Sequence, residues 1–154
     1  MSKICKTRKT ALHRLSFSLA TLATLAAVLG LAPGLAQATE IELQGVSKPE
    51  GRLLVAVFAE DGWLRKPVAV KAVEADTARE GRLSIALPDL PAGKLGLSVI
   101  HDLNGNGRLD MNAVGMPIEP YGFSNNAAGM FGPPRFEAAA FEAREGLRIA
   151  VTLN

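Results

Sequence analysis

The sequence predicts an all-β fold, a β-sandwich of about seven short antiparallel strands with one long ordered loop. Three observations carry the prediction. Short apolar runs, alternating or continuous, recur along the chain after residue 38. Turn signals built from Gly, Pro, Asp and Asn divide them at spacings of roughly 8–15 residues. No stretch in that region repeats its apolar residues at the period of a helix.

The first 38 residues stand apart. Met1–Arg14 carries Lys3, Lys6, Arg8, Lys9 and Arg14 and no acid, and Leu15–Leu35 is uncharged and rich in Leu and Ala. Ala36-Gln37-Ala38 then puts small residues at both recognition positions, so a secretory signal peptide cleaved after Ala38 is expected. A membrane anchor is the competing reading, since the apolar run approaches the ~20 residues that span a bilayer. Pro33-Gly34 interrupts that run. Arg8-Lys9 is not a twin-arginine pair, which favours ordinary export of the unfolded chain. The expected organisation is a leader, residues 1–38, and one domain, residues 39–154, delivered to the periplasm or outside the cell with no stable membrane anchor after cleavage.

Cleavage changes the electrostatics. The whole chain has 17 basic and 15 acidic residues; five of the bases and none of the acids precede Ala38, leaving 12 against 15, a net charge of −3. That balance argues against a nucleic-acid partner and leaves an unknown protein or small ligand. Cys5 is lost with the leader, so the remaining domain has neither a disulfide nor a thiol nucleophile. A domain of about 115 residues can still bury enough surface to fold.

The domain then reads in order. Ile41–Val46 turns Ile41 and Leu43 inward and Glu42 and Gln44 outward, and Ser47–Gly51 is a Pro-containing turn. Arg52–Ala59 is continuously apolar after Arg52, as for a central strand covered on both faces. Trp63 lies in the following connection. Val68–Val73 and Arg82–Leu87 alternate as strands, with a charged loop or short helical turn, Glu74–Gly81, between them. Pro88–Gly93 (PDLPAG) is a turn, because neither proline can join a ladder. Leu95–Ile100 resumes the strand pattern. Asp102–Arg135 has little periodicity, yet Met111, Val114, Met116, Ile118, Tyr121, Phe123, Met130 and Phe131 are too many apolar residues for a solvated tail. An ordered excursion packed on the sheet is expected. Phe136–Ala143 suits a strand or, given Ala138-Ala139-Ala140, a short helix. Arg148–Leu153 closes the chain with Ile149, Val151 and Leu153 inward.

The chemistry gathers at His101–Asp110, HDLNGNGRLD, on the exit of a strand. Asp102, Asn104 and Asn106 fall at every second residue, Gly107 takes the sixth place, and Asp110 the ninth. This is the first half of an EF-hand-type calcium loop, in which alternate side chains of a tight coil face one centre and the carbonyl of the seventh residue, here Arg108, joins them. The twelfth place is Ala113, and no helices flank the loop, so the site is not an EF-hand. Glu119 is the nearest acid able to complete the set of Asp102, Asn104, Asn106, Arg108, Asp110 and Glu119. Two local carboxylates imply an affinity of about 10⁻⁴–10⁻³ M. The same residues also form Asx-turns with no metal at all. His101, the one histidine outside the leader, cannot build a zinc or copper cluster alone.

Tyr121–Ala127, YGFSNNA, is the second notable segment. Ser124, Asn125 and Asn126 would line a ligand cleft with Trp63, His101 and Tyr121, or would cap loops and pair buried backbone. Catalytic signatures are thin. A Ser124–His101–Asp triad can be drawn, as in any chain with one histidine, and Gly105-x-Gly107 lacks the helix a phosphate-binding loop needs.

The ordered pieces Leu90–Gly93, His101–Asp110, Gly115-Met116-Pro117-x-Glu119, Tyr121–Asn126 and Phe131-Gly132-Pro133-Pro134-x-Phe136 resemble a family of exported bacterial proteins known as domain of unknown function 2141. The resemblance spans Gly51–Asn154 and implies a secreted β-sandwich without an established activity. Leu90–Gly107 is also similar, more distantly, to prealbumin-like (or Ig-like) and carboxypeptidase-regulatory-like sandwiches, with Leu95 in place of their usual aromatic residue. Three functions follow as expectations: a non-enzymatic binding or accessory module braced by calcium, a hydrolase using the His101 and Ser124 region, or a structural domain whose loop is metal-free.

Overall fold

A computed structural model of the chain describes residues 38–87 and 90–154. The signal-peptide reading, all but Ala38, falls on residues outside these, as does the Pro88-Asp89 part of the PDLPAG turn. Among the described residues, eight strands form two sheets. The smaller has the order β4 (Arg82–Leu87), β1 (Thr39–Gln44), β8 (Arg148–Thr152); the larger runs β3 (Pro67–Glu74), β2 (Arg52–Phe58), β5 (Gly93–Asp102), β6 (Tyr121–Phe123), with β7 (Phe141–Ala143) paired to the start of β5. Seven strands fall within the segments where the sequence places a strand, β7 in the one that also suited a short helix. The eighth, β6, is only Tyr-Gly-Phe and too short to carry a periodic signal.

The pairing is antiparallel except between β1 and β8, which run parallel with Ile41 beside Ile149 and Leu43 beside Val151. That corrects the wholly antiparallel expectation. The two ends of the domain enter one sheet side by side, a relation no local pattern encodes. Phe136–Ala143 is both of its alternatives in turn, a single helical turn (α1, Phe136–Ala139) and then β7.

The core lies between the sheets. Ile41, Leu43, Ile85, Leu87, Ile149 and Val151 meet Leu53, Val55, Val57, Leu95, Leu97 and Val99, all buried. Each such side chain contributes about 1.5–3 kcal/mol by leaving water. Lys71 occupies the inward face of β3 and reaches across to the Ala86 carbonyl of β4 at 2.6 Å. A charged side chain at this position also guards an open sheet edge.

A second apolar cluster covers one end of the larger sheet's other face. Trp63 packs on Phe58, Phe136 and Phe123 with ring centroids 5.5, 5.7 and 6.0 Å apart, and its indole N–H donates to the Pro134 carbonyl at 2.9 Å. Gly96 makes room for the ring: a Cβ there would lie 2.5 Å from the indole. Beyond this cluster Leu54 and Ala56 are half-buried and Val68 and Val70 exposed, so β2 is central but fully covered on one face only.

The excursion after β5 differs from its expectation. Phe123 is buried and Tyr121 half-buried, but Met111, Val114, Met116, Ile118, Met130 and Phe131 are all exposed, the last completely. The segment is ordered by hydrogen bonds instead of by packing its apolar side chains on the sheet.

Candidate functional site

The β5–β6 connection is built around one buried carboxylate. Asp102 ends β5 fully buried. Its Oδ1 accepts the N–H groups of Gly105 (2.8 Å) and Asn106 (3.0 Å), and its Oδ2 that of Gly107 (2.8 Å). Three successive N–H groups can face one side chain because Gly105 and Gly107 adopt φ of +76° and +83°, where a Cβ would be strained. Such charge-assisted bonds are roughly twice as strong as neutral ones. Arg52, opposite Asp102 in the β2–β5 register, brings its guanidinium within 4.0 Å of Oδ2 and donates to the Gly105 carbonyl at 3.1 Å.

Glu119 closes the mouth. Its two oxygens accept the N–H groups of Leu103 (2.8 Å) and Asp110 (3.0 Å), tying the first and last turns of the loop together. Asp110 forms the outer centre: Asn104 Nδ2 donates to it at 2.6 Å and Asn106 Nδ2 at 2.8 Å, and Arg108 Nε lies 3.9 Å away. The Oδ1 atoms of Asn104 and Asn106 accept the N–H two residues on, at 3.1 and 3.0 Å. Asn112 then accepts from Val114 and Met116 and organises the exposed tip.

Of the six residues expected to hold a cation, three side chains therefore meet at one point, those of Asn104, Asn106 and Asp110. Asp102 and Glu119 face backbone N–H groups. Among the described residues no three carboxylate, imidazole or thiol groups gather closely enough to hold a metal by themselves. Amide and backbone oxygens would have to supply most of the ligands, as hard calcium allows.

The expected cleft residues scatter. His101 is fully buried on the inward face of β5, with Nε2 2.8 Å from the Glu50 carbonyl and no partner on Nδ1. Ser124 is also buried; its Oγ accepts the Leu97 N–H at 3.0 Å and donates to the Ala139 carbonyl. Ser124 thus sits beside Leu97, four residues back along β5 from His101, or about 13 Å at the rise of a strand. The two form no dyad, so the Ser124–His101 pairing drawn from the sequence is not made. Asn125 and Asn126 hold φ of +59° and +50°. Asn125 donates to the carbonyls of Ala138 and Ala140, and Asn126 accepts the Thr152 N–H at 2.8 Å. The Ser-Asn-Asn segment is thereby pinned to α1, β5 and β8. Only Tyr121 and Asn126 of the six line a hollow, which extends to Gly129, Pro134 and Asn154 and has a volume of about 60 Å³. Drug-sized ligands occupy about 300–1,000 Å³, so this one takes a few waters.

Arg52 and Asn112 are not among the site residues expected from the sequence. Arg52 is 50 positions from Asp102, and only strand register joins them. Asn112 was signalled: it extends the Asp-x-Asn spacing two residues past Asp110.

Fold and loop together define an all-β two-sheet sandwich whose longest connection is latched by carboxylates. The chain belongs to the family of uncharacterized proteins conserved in bacteria, DUF2141, whose model matches residues 41–149. No curated protein and no solved structure matches it.

Proposed function

We propose that the protein is an exported, non-enzymatic binding or accessory module whose 102–119 loop takes up calcium with millimolar-range affinity. One observation carries the calcium reading: Asn104, Asn106 and Asp110 deliver their side chains to a single exposed point within a seven-residue coil. A half-turn of each amide would turn oxygen toward that point, beside the Asp110 carboxylate. Export is supported by the charge pattern and small-residue cleavage site of residues 1–38.

The test is a thermal melt across calcium from micromolar to about 10 mM, with magnesium as control. A Kd near 1 mM predicts about 1.4 kcal/mol of stabilisation at the upper end, or a rise of about 5 °C in Tm. Asp110→Ala should abolish the rise. An unchanged wild-type Tm across the range refutes calcium. Export is checked separately by sequencing the N-terminus of protein from the periplasmic fraction, with Thr39 as the expected first residue.

A second reading has its own observation. Every carboxylate of the loop already has its donors: three N–H groups on Asp102, two on Glu119 and two amides on Asp110. On that reading the loop is a metal-free polar latch, and the flat calcium titration is its expected result.

A further inference from the structure

Asn104 and Asn106 are both exposed and each is followed by a glycine. In an Asn-Gly pair the backbone nitrogen of the glycine meets no side chain as it approaches the asparagine Cγ. Its attack forms an N–Cγ bond and a five-membered succinimide. The Cγ–Nδ2 bond breaks, and ammonia leaves with the proton given up by the backbone nitrogen. Solvent water then opens the ring to aspartate or isoaspartate.

The folded loop blocks both partners of this reaction. The attacking nitrogens are those of Gly105 and Gly107, and each donates its proton to the Asp102 carboxylate at 2.8 Å. Removing that proton would leave a nitrogen anion against a fully buried negative charge, where little solvent screens the repulsion. The electrophiles are turned away as well. The Asn104 and Asn106 side-chain carbonyls bond the N–H two residues on, not the adjacent one, while their Nδ2 atoms are held by Asp110. Neither Asn112 nor Asn126 is followed by glycine, and Asn125 is followed by Asn126.

We propose that Asn104 and Asn106 are spontaneous deamidation sites, and that the Asp102 carboxylate keeps both intact while the loop is folded. The consequence is directional. Deamidation removes an amide donor from Asp110 and leaves a carboxylate, or an isoaspartyl backbone one methylene longer, so a loop that has opened for long enough cannot re-form its original bonds.

The tryptic peptide Leu95–Arg108 contains both asparagines and no other. Protein is held at 37 °C and pH 8 in chelator, which separates the outcome from that of the calcium titration, and the peptide is followed by mass spectrometry for a gain of about 1 Da. Folded wild type should react at least tenfold more slowly than the same chain in urea. Asp102→Ala and Asp102→Ser, each shown by a cooperative melt to be folded, should lose most of that protection. Glu119→Gln, which loosens the mouth but leaves the three bonds to Asp102, should keep it. Equal rates for folded and urea-unfolded wild type overturn the proposal. So does a folded Asp102 variant as slow as wild type, or Glu119→Gln as fast as Asp102→Ala. The wild-type comparison stands even if neither Asp102 variant folds.

Discussion

The sandwich and the loop that leaves it are held by opposite means. Between the sheets, side chains such as Leu97, Val99, Ile41 and Val151 are buried by area, and many neighbours share each contact. In residues 102–120 Met111, Val114, Met116 and Ile118 point outward, and the backbone is fixed by directional bonds to the side chains of Asp102, Glu119 and Asn112. Burial is tolerant of which apolar residue supplies it. A latch depends on individual oxygens, because a buried donor left without its acceptor bears the full desolvation cost. The two regions should therefore fail differently, one globally and the other locally.

The largest effect belongs to the core. Leu97→Ala should cost about 2–5 kcal/mol and should lower the urea midpoint seen by Trp63 fluorescence and by loop amide exchange alike. Asp102→Ala comes next, at about 2–3 kcal/mol from three charge-assisted bonds. Here the loss should be local: exchange at Gly105 and Gly107 accelerates about 30- to 150-fold while the fluorescence midpoint moves little. Should both probes fall together, the loop is not a separable unit and the contrast fails. Ser124→Ala leaves the Leu97 N–H and the Ala139 carbonyl unpaired where the sheet meets α1, and about 1–2 kcal/mol is expected in a urea melt. That value tests whether a buried hydroxyl behaves as core or as latch. Arg52→Ala should be smallest, within about 1 kcal/mol and shrinking as salt is added, since its side chain is 40% exposed and its guanidinium lies 4.0 Å from Asp102.

The same contrast governs what could be read without coordinates. Strands β1, β4, β5 and β8 announce themselves because a half-buried strand must alternate, and Leu83, Ile85 and Leu87 or Ile149, Val151 and Leu153 record that physics directly; β2 shows instead as a continuous apolar run. Strand β6 does not. Gly122 is there because a Cβ would strike the Thr152 carbonyl at 2.5 Å, a constraint from a strand distant in sequence. The loop was legible as a coil, since Asp-x-Asn-x-Asn-Gly can bring its side chains to one side of a turn. Which oxygen would receive which N–H was not. Asp102 and Glu119 look like cation ligands by type and spacing, and the fold spends them on backbone. Trp63, His101 and Tyr121 suggested a cleft by chemical type alone, but alternation sends His101 and Tyr121 to opposite faces of the larger sheet.

Local periodicity and turn chemistry thus determined the all-β class, most strand positions, the inward faces and the place of the polar loop, because each depends on residues a few positions apart. Tertiary structure decided the parallel pairing of β1 with β8, the seating of Trp63 over Gly96 and the approach of Arg52 to Asp102. Those depend on groups that folding alone brings within a few ångströms, and their energies exist only once the intervening chain has closed.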